Sequence, residues 1–169
     1  MNKGKWKGSQ IEGSLYEDQF HMMALERGFY VRKSTLEEDM MQRFDFEIAK
    51  GGKSFRVDVK APKRTDRHGR LEWDTQWVEF VNVEGYGGSL YEGDPDTVMA
   101  FGLPDGFLLV AKSALQRFAE SNVLDEWVYS PSEALYRKYT RKGRKDVISK
   151  ISLSDLARQA KCRKWKRKK

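Results

Sequence analysis

The sequence has little cysteine and no long hydrophobic run, and both features exclude classes of protein. Cys162 is the only cysteine among 169 residues, which excludes an internal disulfide and a zinc site built from several cysteines. The longest purely apolar runs span about five residues, as in 107–111, whereas a membrane-spanning helix needs roughly 20. The basic residues of the first ten positions are not followed by the apolar stretch of a secretory signal. We therefore expect a cytoplasmic protein with no membrane segment.

Motifs of several common functions are missing as well. The glycine-rich segment 85–93 does not end in the Gly-Lys-Ser/Thr triplet of a phosphate-binding loop, and there is no zinc-finger or RNP pattern. What the chain does have is 39% hydrophobic residues, enough for a core. We expect a basic N-terminal arm at 1–10, a single folded domain at 11–160 and a basic C-terminal tail at 161–169.

Positive charge is concentrated in that tail. The chain has 32 basic and 25 acidic residues, and seven of the basic residues lie within 161–169, so the remainder is formally neutral. Such a run suits a nucleic-acid backbone, and a solubilising terminus is the alternative. Trp165 favours binding, because an exposed indole can stack on a base. The nucleic-acid contacts predicted in the tail are Lys164, Trp165, Lys166 and Arg167.

Two further groups of basic residues lie inside the domain. The first follows a predicted strand and contains Lys63, Arg64, Arg67 and Arg70; the second lies beside two tyrosines and contains Arg141, Lys142, Arg144 and Lys145. We predict that both groups contact a phosphate backbone. His68, in the first group, could act as a general base, although a solvated loop histidine is the simpler interpretation. No element suits the reading of base edges, so strong sequence specificity is not indicated.

The clearest local signal is a β-hairpin. Apolar and charged residues alternate over 43–48 and again over 55–60, and Gly51-Gly52 lies between the two runs. We expect a helix over about 12–27 before the hairpin, a third strand at 77–83, and β-like runs at 97–101 and 107–111. This order predicts an α/β fold in which a mixed central β-sheet is flanked by helices.

The polar face of the hairpin brings acids and a lysine together. Asp58 and Lys60 share one face because side chains alternate along a strand, and Asp45 lies on the polar face of the preceding strand. Two carboxylates suit Mg²⁺, and a lysine can orient the attacking water or stabilise the charge that develops when a phosphodiester is hydrolysed. The alternative is a solvent-facing salt-bridge cluster, which is common on antiparallel sheets.

The order of these residues resembles the PD-(D/E)XK nuclease superfamily, in particular its Holliday-junction-resolvase-like and phage members. Asp45, the hairpin and then Asp58-Val59-Lys60 match the family motif, with Phe44 in place of its proline. Upstream, Gly13-Ser14 precedes Glu17 in the way that a glycine–serine pair precedes a metal-site glutamate in resolvase-like members; Glu12 is the competing acid. The resemblance covers approximately residues 8–63.

The resemblance implies both a fold and an activity. The fold would be restriction-endonuclease-like, and the activity would be metal-dependent DNA endonuclease cleavage of phosphodiester bonds, structure-directed or weakly sequence-specific. Glu17, Asp45 and Asp58 would bind Mg²⁺, for which Mn²⁺ can substitute, and Lys60 would be the catalytic lysine.

The implied partner is DNA, and the small single domain is compatible with a homodimer. A phage origin would place the protein in the cytoplasm of a bacterial host. Two alternatives stay open: a non-catalytic nucleic-acid-binding protein on the same fold, and an RNA-directed nuclease.

Overall fold

The computed structural model describes residues 3–64 and 69–168, with side chains from residue 12 onward. Arg67, His68 and the last residue of the chain lie outside the described residues. The helices are α1 (Lys3–Glu26), α2 (Leu36–Gln42), α3 (Lys112–Asn122) and α4 (Leu153–Gln159). The strands are β1 (Tyr30–Lys33), β2 (Phe46–Lys50), β3 (Lys53–Lys60), β4 (Lys63–Arg64), β5 (Leu71–Glu72), β6 (Thr75–Val81), β7 (Val98–Leu103), β8 (Gly106–Ala111), β9 (Trp127–Val128), β10 (Lys138–Tyr139), β11 (Val147–Ser152) and β12 (Cys162–Lys166).

A mixed sheet forms the centre of the described chain. Its strand order is β1-β2-β3-β7-β8-β12, in which β3 and β7 are parallel and the other neighbours are antiparallel. The predicted hairpin is β2–β3, with Phe46 opposite Val57. The α/β prediction of a mixed central sheet flanked by helices is therefore confirmed. No helix in the described part of the chain is long and apolar enough to cross a membrane.

Helix α1 covers one face of this sheet. It begins at Lys3, ahead of the predicted start near residue 12. Tyr16, Phe20, Met23 and Ala24 are buried at the spacing of one helical face and pack against residues of β2, β3 and β8. The helix is followed by Gly28, whose φ of 83° lies in the left-handed region that favours glycine.

The opposite face carries a second core and a second sheet. Helices α3 and α4 pack there together with β6 and β11, which belong to a sheet of order β6-β11-β10-β9. Asp58 lies opposite Met99 and Lys60 opposite Phe101 in the parallel β3–β7 pair. Because laterally paired residues point to the same side, the charged face of β3 lies at the border of this second core rather than against α1.

The predicted tail is part of the fold, and the role assigned to Trp165 is wrong. Residues 162–166 form β12, which pairs with β8 at the sheet edge. The Trp165 side chain is 7% exposed and stacks on Phe20, with ring centroids 5.4 Å apart. A Cβ at Gly106 would lie 1.8 Å from the Trp165 carbonyl oxygen, so the pairing requires glycine there. An indole in this core cannot stack on a base.

Candidate active site

Asp45 lies directly before β2, close to Asp58 near the end of β3. The Asp45 backbone N–H donates to the Val57 carbonyl at 2.8 Å, which holds the residue against β3. The Val59 backbone N–H donates to Oδ2 of Asp45 at 2.7 Å, which fixes the carboxylate. Burial, then the charge of Asp58 and then that of Glu17 raise the pKa of Asp45 to about 7. Two nearby carboxylates repel each other, so this pair lowers stability when both groups are ionised.

Lys60 balances part of this negative charge. Its Nζ lies 3.3 Å from Oδ1 of Asp58, and the two side chains are 42% and 14% exposed. Burial by itself would lower the pKa of Lys60, but the nearby carboxylates of Asp58 and Asp45 outweigh it, and the pKa is raised. The lysine is therefore a fixed ammonium at neutral pH.

The structure separates the two candidate acids of α1. Glu17 is half-buried, and burial raises its pKa, with the charge of Asp58 adding to the effect. Glu17 thus lies within electrostatic reach of the acidic pair. Glu12 instead accepts hydrogen bonds from Arg64, with Nη2 2.6 Å from Oε1.

A cavity of about 530 Å³ opens beside Asp58 and Lys60. We call it the groove. Met99, Phe101 and Leu115 contribute apolar lining from the second core, and the second sheet contributes Trp77, Val78, Tyr139 and Ile148. The positively charged lining residues are Arg43, Lys60, Lys63, Lys112 and Arg141. A cavity that combines acids, cations and apolar lining is typical of a ligand site.

Sequence reasoning missed Lys112. It is 2% exposed, at the start of α3, and its Nζ donates to the Glu92 carbonyl at 2.7 Å. Among the described residues, no carboxylate lies within 4.0 Å of this ammonium. Burial lowers the pKa of Lys112, and the charge of Asp58 opposes this shift, which places Lys112 within reach of the acidic pair. A lysine directly after an apolar strand is the single sequence signal, and it is a weak one.

Gln76 connects β6 to the end of β3. The sequence leaves two roles open for this residue, support of the site or a polar position at a strand edge. Its side chain is 2% exposed and its Nε2 donates to the Ala61 carbonyl at 3.0 Å. This bond fixes the backbone directly after Lys60. Gln76 also lines the groove.

Only some of the predicted basic residues lie at the groove. Lys63 and Arg141 line the groove, and Arg64 is engaged by Glu12. The other described members of these groups are exposed and outside the groove lining, namely Arg70, Lys142, Arg144 and Lys145. The described basic residues of β12 and its end also lie away from the groove: Lys164 pairs with Asp105 at 3.4 Å, Arg167 bonds Gln19, and Lys166 is exposed.

The donor set at the site fits a hard divalent cation. Within residues 3–64 and 69–168, no group of three or more His, Cys, Asp or Glu side chains forms a metal cluster. Asp45 and Asp58 nevertheless supply carboxylate oxygens, and Mg²⁺ is commonly held by one or two carboxylates with waters and substrate phosphate. A cation between two mutually repelling carboxylates would also relieve their repulsion.

Comparisons with known proteins give one distant structural likeness. No protein-family model matches the sequence, and no curated protein matches it. Among solved structures, the chain is similar to a bacterial homing endonuclease, I-Ssp6803I, at 14% sequence identity and a TM-score of 0.47. The likeness covers 65% of this chain and 73% of that one. At this identity and score it carries no inference about activity.

Proposed function

We propose that the protein is a metal-dependent DNA endonuclease of restriction-endonuclease-like fold, which hydrolyses phosphodiester bonds at the groove. One observation carries the proposal: the Asp45 carboxylate is held beside Asp58 by the Val59 N–H, and an ammonium lies 3.3 Å from Asp58, which lines a cavity of about 530 Å³. This is the ordered set of Asp45, Asp58 and Lys60 that the PD-(D/E)XK resemblance names.

A simple salt-bridge cluster accounts poorly for Asp45. Surface ion pairs bring unlike charges together in solvent and contribute about 0–1 kcal/mol. Here burial, and then the charge of a second carboxylate nearby, raise the pKa of the half-buried Asp45. Ionisable groups perturbed in this way and placed beside a cavity are concentrated at functional sites.

Each residue has a distinct role in the proposed reaction. When bound by Asp45 and Asp58, Mg²⁺ or Mn²⁺ would supply Lewis-acid polarisation of the scissile phosphate and a more acidic water. The Val59 N–H holds the Asp45 carboxylate in place. Lys60 keeps its proton and donates to a phosphate oxygen, where it stabilises the negative charge that develops as the bond breaks. Glu17 adds a third carboxylate within electrostatic reach.

Charge around the acids supports a nucleic-acid substrate. Arg43, Lys63, Lys112 and Arg141 line the groove, so the carboxylates lie among cations that attract a phosphate backbone. The sequence contains no zinc-finger or RNP pattern for reading bases, which favours structure-directed or weakly specific cleavage. The homodimer, the cytoplasmic location and the phage origin stay predictions from the sequence.

Cleavage of defined substrates tests the proposal. Supercoiled plasmid, linear duplex, single-stranded and four-way-junction DNA are incubated with the protein in Mg²⁺, Mn²⁺ or EDTA, beside a matched RNA. We expect cleavage of DNA that requires the metal and disappears in Asp58→Asn. Lys138→Met, which removes a lysine outside the groove, should cleave at the wild-type rate. Binding without cleavage in either metal would instead indicate a non-catalytic binding protein, and faster cleavage of RNA an RNA-directed nuclease.

A further inference from the structure

We propose that Trp77 and Tyr139 form a base-stacking platform in the groove, so that the substrate strand enters the active site unpaired. The proposal rests on the proposed function, because it names the form of DNA that the same site accepts. The structural feature that carries it is an aromatic pair that lines the same groove as Asp58 and Lys60.

The two rings meet because of the register of the second sheet. Strand β11 lies between β6 and β10, and it pairs Lys150 with Trp77 and Ile148 with Tyr139. Residues 148 and 150 lie on the same face of β11, so Trp77 and Tyr139 also share that face. Their ring centroids are 6.3 Å apart with 38° between the planes.

Neither ring is needed for the two hydrophobic cores. Within the described residues, Trp77 and Tyr139 belong neither to the cluster under α1 nor to the cluster under α3 and α4. Both are partly exposed and both line the groove. Two large aromatic side chains kept out of the core and beside charged residues are what a stacking site requires.

A residue beside the two rings is suited to bind the phosphate of a nucleotide. Arg141 lines the same groove, and its Nε donates to Oδ2 of the fully buried Asp146 at 2.5 Å. Asp146 also accepts the Arg141 backbone N–H at 3.1 Å. Because Nε is held in this way, the guanidinium is oriented in advance. Among the described residues its two terminal nitrogens have no hydrogen-bond partner, so they can bind a phosphate.

Trp77 is itself ordered before any ligand binds. The Lys150 ammonium lies 5.2 Å from the Trp77 ring centroid and 3.9 Å from Oε2 of Glu72. This cation–π contact restricts the indole, which lowers the entropy lost on stacking.

The size of the groove and the nature of stacking both favour an unpaired strand. A volume of about 530 Å³ lies in the range of sites for small ligands, and one nucleotide has that scale. A base inside a duplex is already stacked on its neighbours, so it cannot present a face to a protein ring unless it leaves the helix. A ring platform within the groove therefore selects single-stranded DNA, or an unpaired end or flap.

Binding in EDTA tests the platform without cleavage. A fluorescein-labelled oligo-dT and a duplex of the same length are titrated with wild type, Trp77→Leu, Tyr139→Leu and Trp77→Phe. Trp127→Leu is the matched control, because Trp127 lies in the same sheet beneath a lysine but outside the groove lining. Loss of one stacked base corresponds to about 5–150-fold in affinity. We expect this loss for single strands in both leucine variants, recovery in Trp77→Phe, and little change for duplex.

The salt dependence separates stacking from charge. No phosphate contact is removed, so the slope of log K against log salt should be unchanged in Trp77→Leu. Equal losses for duplex and single strand, or a loss in Trp127→Leu as large as in Trp77→Leu, would overturn the platform. If Trp77→Leu does not fold, as judged by its thermal transition, Tyr139→Leu decides: unchanged single-strand affinity in that variant rejects the proposal.

The outcome for the platform is distinguishable from the outcome for the nuclease. If the wild type cuts no DNA but the leucine variants bind single strands more weakly, the platform is supported and the nuclease is rejected. If the wild type cuts duplex and single strand equally well, and Trp77→Leu binds and cuts as the wild type does, the nuclease is supported and the platform is rejected.

Discussion

Replacing Asp45 with asparagine should stabilise the protein above neutral pH even though it abolishes cleavage. The pKa of Asp45 is raised from 3.8 to about 7 by burial and by the charges of Asp58 and Glu17. The folded state therefore binds a proton more tightly than the unfolded state. The stability linked to this group is complete below pH 3.8 and is lost as the pH rises through 7.

The size of this stabilisation follows from the shift in the pKa of Asp45. Three pH units at 1.36 kcal/mol each correspond to about 4 kcal/mol, and water in the groove screens part of this interaction. We expect Asp45→Asn to gain about 1–4 kcal/mol at pH 8. The asparagine side chain retains an oxygen that can accept the Val59 N–H, so the bond that fixes this position is not lost.

Urea unfolding at pH 5 and pH 8, in EDTA, measures this gain. Asp18→Asn is the control, because Asp18 is exposed on α1 and its removal changes the net charge by the same amount. The gain of Asp45→Asn should be large at pH 8 and smaller at pH 5, and Mg²⁺ should stabilise wild type more than the variant. A variant that is less stable than wild type at pH 8, or one whose gain is the same at both pH values, would refute the reasoning.

Three other substitutions have defined outcomes. Lys60→Met should fold and bind DNA but cleave at least about 100-fold more slowly, as measured in single-turnover assays with saturating metal; wild-type rates would remove Lys60 from the mechanism. Lys112→Met should have an unchanged or higher urea midpoint, because an apolar chain of similar volume replaces a buried ammonium that has no carboxylate partner among the described residues. Its DNA binding should have a shallower salt slope. A lower midpoint with unchanged binding would mean that Lys112 has only a structural role. Trp165→Ala should lose about 3–5 kcal/mol of stability in thermal or urea unfolding, because it leaves a cavity beside Phe20; a loss below 1 kcal/mol would contradict the packing described for β12.

The hairpin was predictable because all of its determinants are local. Alternation over 43–48 and 55–60 and a glycine pair between them define two strands, a turn and a register within 18 residues. The same alternation places Asp58 and Lys60 on one face, which the structure confirms. Asp45 directly precedes the first strand of this hairpin, so its position near the end of the second strand follows from the same local pattern.

The residues that were missed depend on contacts that are distant in sequence. Trp165 is the single buried residue of β12, whose other residues include three basic side chains. The charges dominate the local sequence pattern, so the pattern gives no sign that this segment pairs with β8. Lys112 is buried by its packing against the segment around Glu92, which no local periodicity indicates. The groove itself requires the second sheet, whose strands β9 and β10 are two residues long and therefore carry almost no sequence signal.

The stacking of Trp165 on Phe20 also has a consequence for how the protein matures on the ribosome. The core under α1 contains side chains from the first helix and from the last strand of the described chain. A nascent chain therefore cannot complete this core until residue 165 has been translated and has left the exit tunnel. Contacts between such distant parts of a sequence form slowly because a long loop must close first. Helix α1, which carries Glu17, therefore docks fully only after synthesis of β12, so the proposed active site is completed only after the other strands of the central sheet have been made.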